Sequence, residues 1–121
     1  MPFKLLLNKL LEDIPGAQGA VILDWEGEAV DQVARISEYD MKVIGAHNGI
    51  ILNQLRDVLA VIGSGALEEV VIRTGENKTL VAPLSQDYML VLQLGADAIA
   101  ARAAFKMRRC VEALRDDFDF A

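Results

Sequence analysis

The stretch between Ser37 and Gly63 constrains this chain more than any other. Ser37-Glu38-Tyr39-Asp40 fits the Ser-x-x-Asp pattern, in which the hydroxyl satisfies an orphan backbone N–H and the acid at the third helical position reaches back. Gly63-Ser64-Gly65 suits the left-handed conformation that ends a helix, so the spacing predicts one long helix running to about Ile62. At about 100° per residue, with Ile44 as the origin, Ile51, Leu55, Val58 and Ile62 fall near it. Met41, Leu52 and Leu59 lie on one flank, and Val43, Ile50 and Val61 on the other. This arc spans roughly 200°, about twice what packing one face on a core needs. One flank is therefore left over. Gly45 and Gly49 sit beside Leu52, and such small residues let a second helix approach closely, so the expected cover is a second copy of the chain; the alternative is a loop of the same chain. Lys42, Ala46, Asn53, Arg56, Asp57 and Ala60 lie opposite. They form either a solvated face or a rigid platform on which a partner docks.

The rest of the chain supplies a sheet and two more helices. Pro2 suits a first turn, and Phe3, Leu6, Leu7, Leu10, Leu11 and Ile14 recur at helical spacing until Pro15-Gly16 stops them, which predicts a helix over about 2–13. Ala20 to Leu23, a turn at Asp24-Trp25-Glu26-Gly27 and Glu28 to Arg35 read as a hairpin. After the long helix, Leu67 to Thr74, Thr79 to Leu84 and Tyr88 to Leu94 read as a meander, with turns at Gly75-Glu76-Asn77-Lys78 and Ser85-Gln86-Asp87. Asp97 is the expected cap of a last helix that carries Ile99, Ala103, Met107, Cys110, Val111 and Leu114 on one face. The order α-β-β-α-β-β-β-α lacks βαβ alternation. It predicts a three-layer α/β/α sandwich around a five-stranded, mainly antiparallel sheet.

Composition narrows the function. The 121 residues are expected to form a single domain over 1–121, and their 53% hydrophobic content is high for a chain that must cover itself. No apolar run approaches the ~18–20 residues of a membrane span. The N-terminal segment lacks the features of a signal peptide, so no membrane insertion and a cytoplasmic location are expected. One Cys and one His allow neither an internal disulfide nor a common zinc site. A formal charge of −6 disfavours nucleic acid. His47 and Cys110 have no evident catalytic partner, and Gly63-Ser64-Gly65 follows no strand and lacks the Gly-Lys-Ser/Thr of a phosphate-binding loop. Glu68-Glu69 and Asp116-Asp117-Asp119 read as solvated acids. No catalytic residue, cofactor or metal is predicted. Arg102, Lys106 and Arg109 form a basic stripe on the last helix, read chiefly as a salt-bridged outer face, with Arg108 placed to pair with Glu112.

Leu7-x-x-Leu10, then Ile14-Pro15-Gly16-Ala17-x-Gly19-Ala20-Val21-Ile22-x-Asp24-x-x-Gly27, and later Pro83-Leu84 with Tyr88-Met89-Leu90-Val91-Leu92, resemble the Roadblock (dynein light chain) domain family across essentially the whole chain. The resemblance implies the Roadblock/longin-like form of this sandwich. It also implies homodimerisation through the long helix and the adjoining third strand, so that Gly45, Gly49, Leu52 and Leu59 of the helix and Val70 and Ile72 of the strand become the expected interface. It implies no catalytic site and a role by association, as an accessory subunit or regulator of a Ras-like small GTPase, with the outer helix face at Lys42, Ala46, Asn53 and Arg56 as the expected partner surface. Two other roles remain open at this point: a small-molecule sensor of the same layout, for which few polar groups converge on a pocket, and an adaptor of the dynein-associated light chain type.

Overall fold

A computed structural model describes residues 2–118 of the chain. Its eight elements follow the expected order: α1 (Pro2–Glu12), β1 (Ala17–Asp24), β2 (Ala29–Ala34), α2 (Glu38–Ile62), β3 (Val70–Arg73), β4 (Asn77–Pro83), β5 (Tyr88–Gly95) and α3 (Ala100–Phe118). Both ends of α2 form as their residues dictate. The Ser37 side chain accepts the Asp40 N–H at 3.0 Å, and Gly63, at φ 66°, hands its own N–H back to the Leu59 carbonyl.

The strands pair in the order β2-β1-β5-β4-β3, antiparallel throughout, and β5 joins the first hairpin to the meander. Strand alternation divides the core into two. Ala20, Ile22, Leu80, Leu90 and Leu92 face α1 and α3, whereas Val21, Leu23, Val81, Met89 and Val91 face α2. The Asp24 carboxylate holds the first hairpin by accepting the N–H groups of Glu26 and Glu28 at 3.0 and 2.9 Å, while Gly27 takes the positive φ the turn requires.

Four expected boundaries move, the first being the start of β1 at Ala17 rather than Ala20. The third strand starts at Val70 rather than Leu67, because continuing the register from Val70↔Val81 would bring Glu68 opposite Pro83, which has no N–H to donate. Asn77 and Lys78 belong to β4 rather than to a turn, since the Thr74 N–H reaches the Asn77 carbonyl at 2.9 Å and closes a tighter hairpin. Asp97 does not cap the last helix. Ala98 N–H bonds back to Gly95, the Lys78 ammonium holds the Ala98 carbonyl, and α3 begins at Ala100 with Ile99 accepting its first bond. Ile99 consequently leaves the predicted apolar face and stands 65% exposed, while Ala103, Met107, Cys110, Val111 and Leu114 are buried as expected.

Candidate functional interface

The phase of α2 is the main departure from expectation. Its inward line runs through Met41, Gly45, Gly49 and Leu52 rather than through Ile44, a rotation of about a quarter turn. Gly45 lies directly on β1: a Cβ built there would stand 2.9 Å from Leu23 Cδ1 and from Val21 Cγ1. Gly49 faces Met89, and Leu52 is fully buried among Val21, Leu23, Val81 and Val91. The two glycines therefore let α2 approach its own sheet. Gly45, Gly49 and Leu52 drop out of the expected dimer contact because the core of the chain already covers them. Leu59, Val70 and Ile72 are only half-buried and keep surface that a partner could cover.

The rotation brings a different set of apolar residues outward. Ile50 is 58% exposed, Val58 56%, Val61 86% and Ile62 65%, with Ile51 beside them. Most of the exposed large apolar side chains on α2 thus gather in its C-terminal half, ahead of the loop that leads to β3.

The sheet offers two edges, and they differ. On β2, the Arg35 N–H to Gln18 carbonyl bond of 2.8 Å sets the alternation, so that Gln32 turns its N–H off the sheet. The Asp31 carboxylate next to it takes that N–H at 2.9 Å and stands 3.9 Å from the Lys4 ammonium, a charged side chain blunting the edge. On β3, the 74–77 closure sets the alternation so that Val71 and Arg73 turn their backbone groups outward, and among the described residues nothing pairs with them. β3 is the open edge.

The expected partner platform is partly occupied by the first hairpin. Arg56 stacks its guanidinium 3.9 Å over the Trp25 ring, Asn53 Nδ2 donates to the Trp25 carbonyl at 3.3 Å, and a Cβ built on Gly27 would stand 3.6 Å from Ala46 Cβ. Lys42 stays exposed. Asn53 and Arg56 therefore anchor the β1–β2 turn to α2, and they and Ala46 present only part of their surface. Among the described residues, the buried Trp25 indole N–H finds no hydrogen-bond partner. Sequence reasoning placed Trp25 in a turn and had no signal for its contact with a residue far along the chain.

The other singled-out residues are structural. His47 Nδ1 lies 2.8 Å from the Val43 carbonyl of its own helix. Burial pushes the Cys110 thiol up to about 11, which keeps it protonated and unreactive near neutral pH. Arg108 pairs with Glu69 at 2.7 and 3.1 Å rather than with Glu112, and that hydrogen bond, followed by the charge of Glu69, raises its pKa. This bridge spans a groove of about 640 Å³ between α3 and the β3–β4 end of the sheet, floored by Leu80, Ala82, Met107 and Val111. Asp119 lies outside the described residues. Among the described residues, no group of three or more His, Cys, Asp or Glu gathers to hold a metal, and no helix is long and apolar enough to cross a membrane.

The family model of the Roadblock/LC7 domain matches residues 3–94. The chain belongs to the Roadblock/LC7 family. No curated protein matches the sequence significantly. Among solved structures, a Roadblock/LC7 domain from Streptomyces avermitilis is 19% identical, covering 94% of this chain and 95% of its own, with a TM-score of 0.85. MglC from Myxococcus xanthus is 24% identical over 97% and 99% of the two chains, with a TM-score of 0.71. MglB from the same organism is 10% identical over 98% and 96%, with a TM-score of 0.88. At these identities the likeness is one of fold, the five-stranded antiparallel Roadblock/longin sheet with three helices.

Proposed function

We propose that this chain is a homodimeric, non-enzymatic regulator or scaffold for a Ras-like small GTPase, working in the cytoplasm as a single Roadblock domain of residues 1–121. The observation that carries the dimer is the meeting of two unsatisfied surfaces: the exposed apolar set Ile50, Ile51, Val58, Val61 and Ile62 on α2 and the unpaired edge of β3. A second copy related by a two-fold axis meets both needs with one contact. Its β3 continues the ladder, and its α2 covers the apolar residues, with Leu59, Val70 and Ile72 contributing their half-exposed surface.

The GTPase reading rests on family membership, because Roadblock domains include accessory subunits and regulators of Ras-like GTPases. Two α2 helices side by side form a rigid platform, bordered by Lys42 and by the Trp25–Arg56 stack. A regulator of this kind supplies no catalytic group. It acts by binding one arrangement of the GTPase loops better than another, which shifts their population towards the hydrolytic or the signalling state.

Light scattering tests the dimer. The wild type is expected at twice the chain mass at micromolar concentration, and Val61→Asp/Ile62→Asp at the mass of one chain, still folded because both side chains are exposed in the single chain, with its melting temperature lowered by the lost association and no longer dependent on concentration. Leu52→Asp is expected to unfold the protein, because a carboxylate would enter a fully buried site. A wild type that weighs one chain removes the dimer. For the GTPase, purified Ras-like GTPases from the same genome, loaded with GDP or with a non-hydrolysable GTP analogue, are titrated against the dimer. Failure of every one to bind in either state removes that half of the proposal.

A further inference from the structure

The open edge of the sheet carries its side chains in a self-complementary order. Alternation along β3 puts Val71 and Arg73 on the face that α3 covers, opposite Leu80 and Lys78 of β4, whereas Val70 and Ile72 face α2. Glu69, immediately before β3, continues the alternation onto the α3 face, where the Arg108 guanidinium holds its carboxylate at 2.7 and 3.1 Å. One face of the edge therefore reads acid, apolar, base at Glu69, Val71 and Arg73, with Val71 42% exposed. The other face reads apolar at Val70 and Ile72. The backbone follows the same alternation: residues 69, 71 and 73 turn their N–H and C=O groups away from β4.

Arg73 has no counter-charge in its own chain. Its cross-strand neighbour is Lys78, and like charges directly opposite each other are destabilising; Lys78 turns its ammonium to the Ala98 carbonyl instead. Among the described residues, Arg73 makes no hydrogen bond or ion pair. Lys9 and Lys42 are solvated in the same way, so the missing partner decides nothing by itself. What decides is position: Arg73 stands as far from Val71 on one side as Glu69 stands on the other, on the same face of an unpaired strand.

We propose that Glu69 and Arg73 set the register and the self-selectivity of the dimer, through two reciprocal ion pairs that flank Val71 on the two-fold axis; this rests on the α2–β3 dimer proposed above. In an isologous antiparallel edge, outward backbone groups pair only with outward ones, so the allowed registers differ by slides of two residues. With Val71 opposite Val71 of the partner subunit, Glu69 meets Arg73 of the partner subunit, and on the α2 face Val70 meets Ile72 of the partner subunit. All three outward positions are then paired, and each side chain meets its complement. One slide sets Val71 against the partner's Arg73 and Glu69 against the partner's Gly75. The opposite slide sets Val71 against the partner's Glu69 and Ile72 against the partner's Glu68. Longer slides in either direction put Arg73 against the partner's Arg73 or Glu69 against the partner's Glu69. Arg108 does not use up Glu69, because a carboxylate offers about four lone-pair sites; it positions the acid for a second guanidinium. A foreign strand without the acid, apolar, base order loses both ion pairs and meets like charges, which selects a second copy of this chain.

Light scattering over a dilution series, with native mass spectrometry of mixtures in which one variant is isotope-labelled, tests this on the full chain. Glu69→Lys and Arg73→Glu each turn both ion pairs into like-charge pairs, and each is expected to weaken its own dimer at least ~10-fold. Mixed in equal amounts, the two are expected to form the heterodimer, in which both pairs attract again. Glu69→Lys/Arg73→Glu is expected to recover the homodimer and to exclude the wild type from it. Loss of the Arg108 bridge is common to Glu69→Lys and to this double variant, so recovery in the double variant separates register from folding. If Glu69→Lys melts below the assay temperature, Arg73→Glu and Arg73→Lys carry the test, with the dimer weakened in the first and kept in the second. The proposal is overturned if either single variant dimerises like the wild type, if the mixture yields no excess of heterodimer, or if the double variant fails to recover. With a dimeric wild type, those results remove the register and leave the α2–β3 dimer standing, whereas a wild type that weighs one chain removes both.

Discussion

Gly45 and Gly49 sit four residues apart on one helix, and replacing each with Ala is expected to stabilise the chain at Gly49 and not at Gly45. Ala in place of Gly in a helix interior gains about 1 kcal/mol through the smaller entropy lost on folding. At Gly49 that gain is unopposed, because the new methyl would meet Met89 Cε at 3.6 Å and Sδ at 3.7 Å, ordinary contact distances. At Gly45 the new Cβ would stand 2.9 Å from Leu23 Cδ1 and Val21 Cγ1 and 3.2 Å from Leu23 Cδ2. Both neighbours are fully buried, and the β-branched Val21 has little rotamer freedom with which to yield. Overpacking of this kind costs about 1–3 kcal/mol, so Gly45→Ala is expected to end between neutral and about 2 kcal/mol destabilised.

The two variants should therefore differ by about 1–3 kcal/mol, and each kcal/mol moves the midpoint of a domain this size by roughly 3–6 °C. Thermal and urea melts at one fixed protein concentration measure the difference, with light scattering alongside to hold the association state constant. If the glycines instead formed the crossing point between two subunits, Gly49→Ala would weaken the dimer and lower the midpoint in a concentration-dependent way. That result, or two variants shifted equally, would refute the intramolecular role assigned to this pair.

Two further perturbations probe the same packing. Arg56→Ala removes the cation over Trp25 and is expected to cost about 0.5–1 kcal/mol, with the emission of the one tryptophan shifting to the red as its ring gains water; an unshifted spectrum would mean that the stack does not persist in solution. For Cys110, burial raises the folded thiol pKa to about 11, above its value in the unfolded chain, so the folded state holds the proton more tightly. Its contribution is fully present below about pH 9 and is lost as pH rises towards 11, by about 2–3 kcal/mol in all. The stability gap between wild type and Cys110→Ala should narrow over that window, and a constant gap would contradict the burial of the thiol.

Local signals match the structure at several points where one residue type answers one backbone need, although Asp97, a cap by its spacing, does not cap α3. Ser37 and Gly63 mark the ends of α2, Asp24 and Gly27 make the first turn, and the unbroken apolar run of β5 announces a strand covered on both faces. The candidate interface was legible only in outline, because an apolar arc of about 200° states that a helix has two apolar partners without stating which flank meets which. The glycines could not decide the matter by themselves, since a missing Cβ admits a sheet as readily as a second helix. What decided it was the partner surface across the sequence: Val21 and Leu23 on β1 reach up to α2 where Gly45 leaves room, and that contact turns Val58, Val61 and Ile62 outward. The Trp25–Arg56 stack and the charge stripe on α3 differ in the same way. Trp25 and Arg56 become neighbours only after the first hairpin folds over α2, whereas Arg102, Lys106 and Arg109 share a helix and announce their alignment by spacing alone. Spacing also places Arg108 to pair with Glu112 on the same helix, whereas the folded chain brings Glu69 from the edge of the sheet within 2.7 Å of it. The excess of apolar side chains is thus a shortfall of cover confined to the outer flank of α2 and the edge of β3, which the proposed dimer answers with one contact.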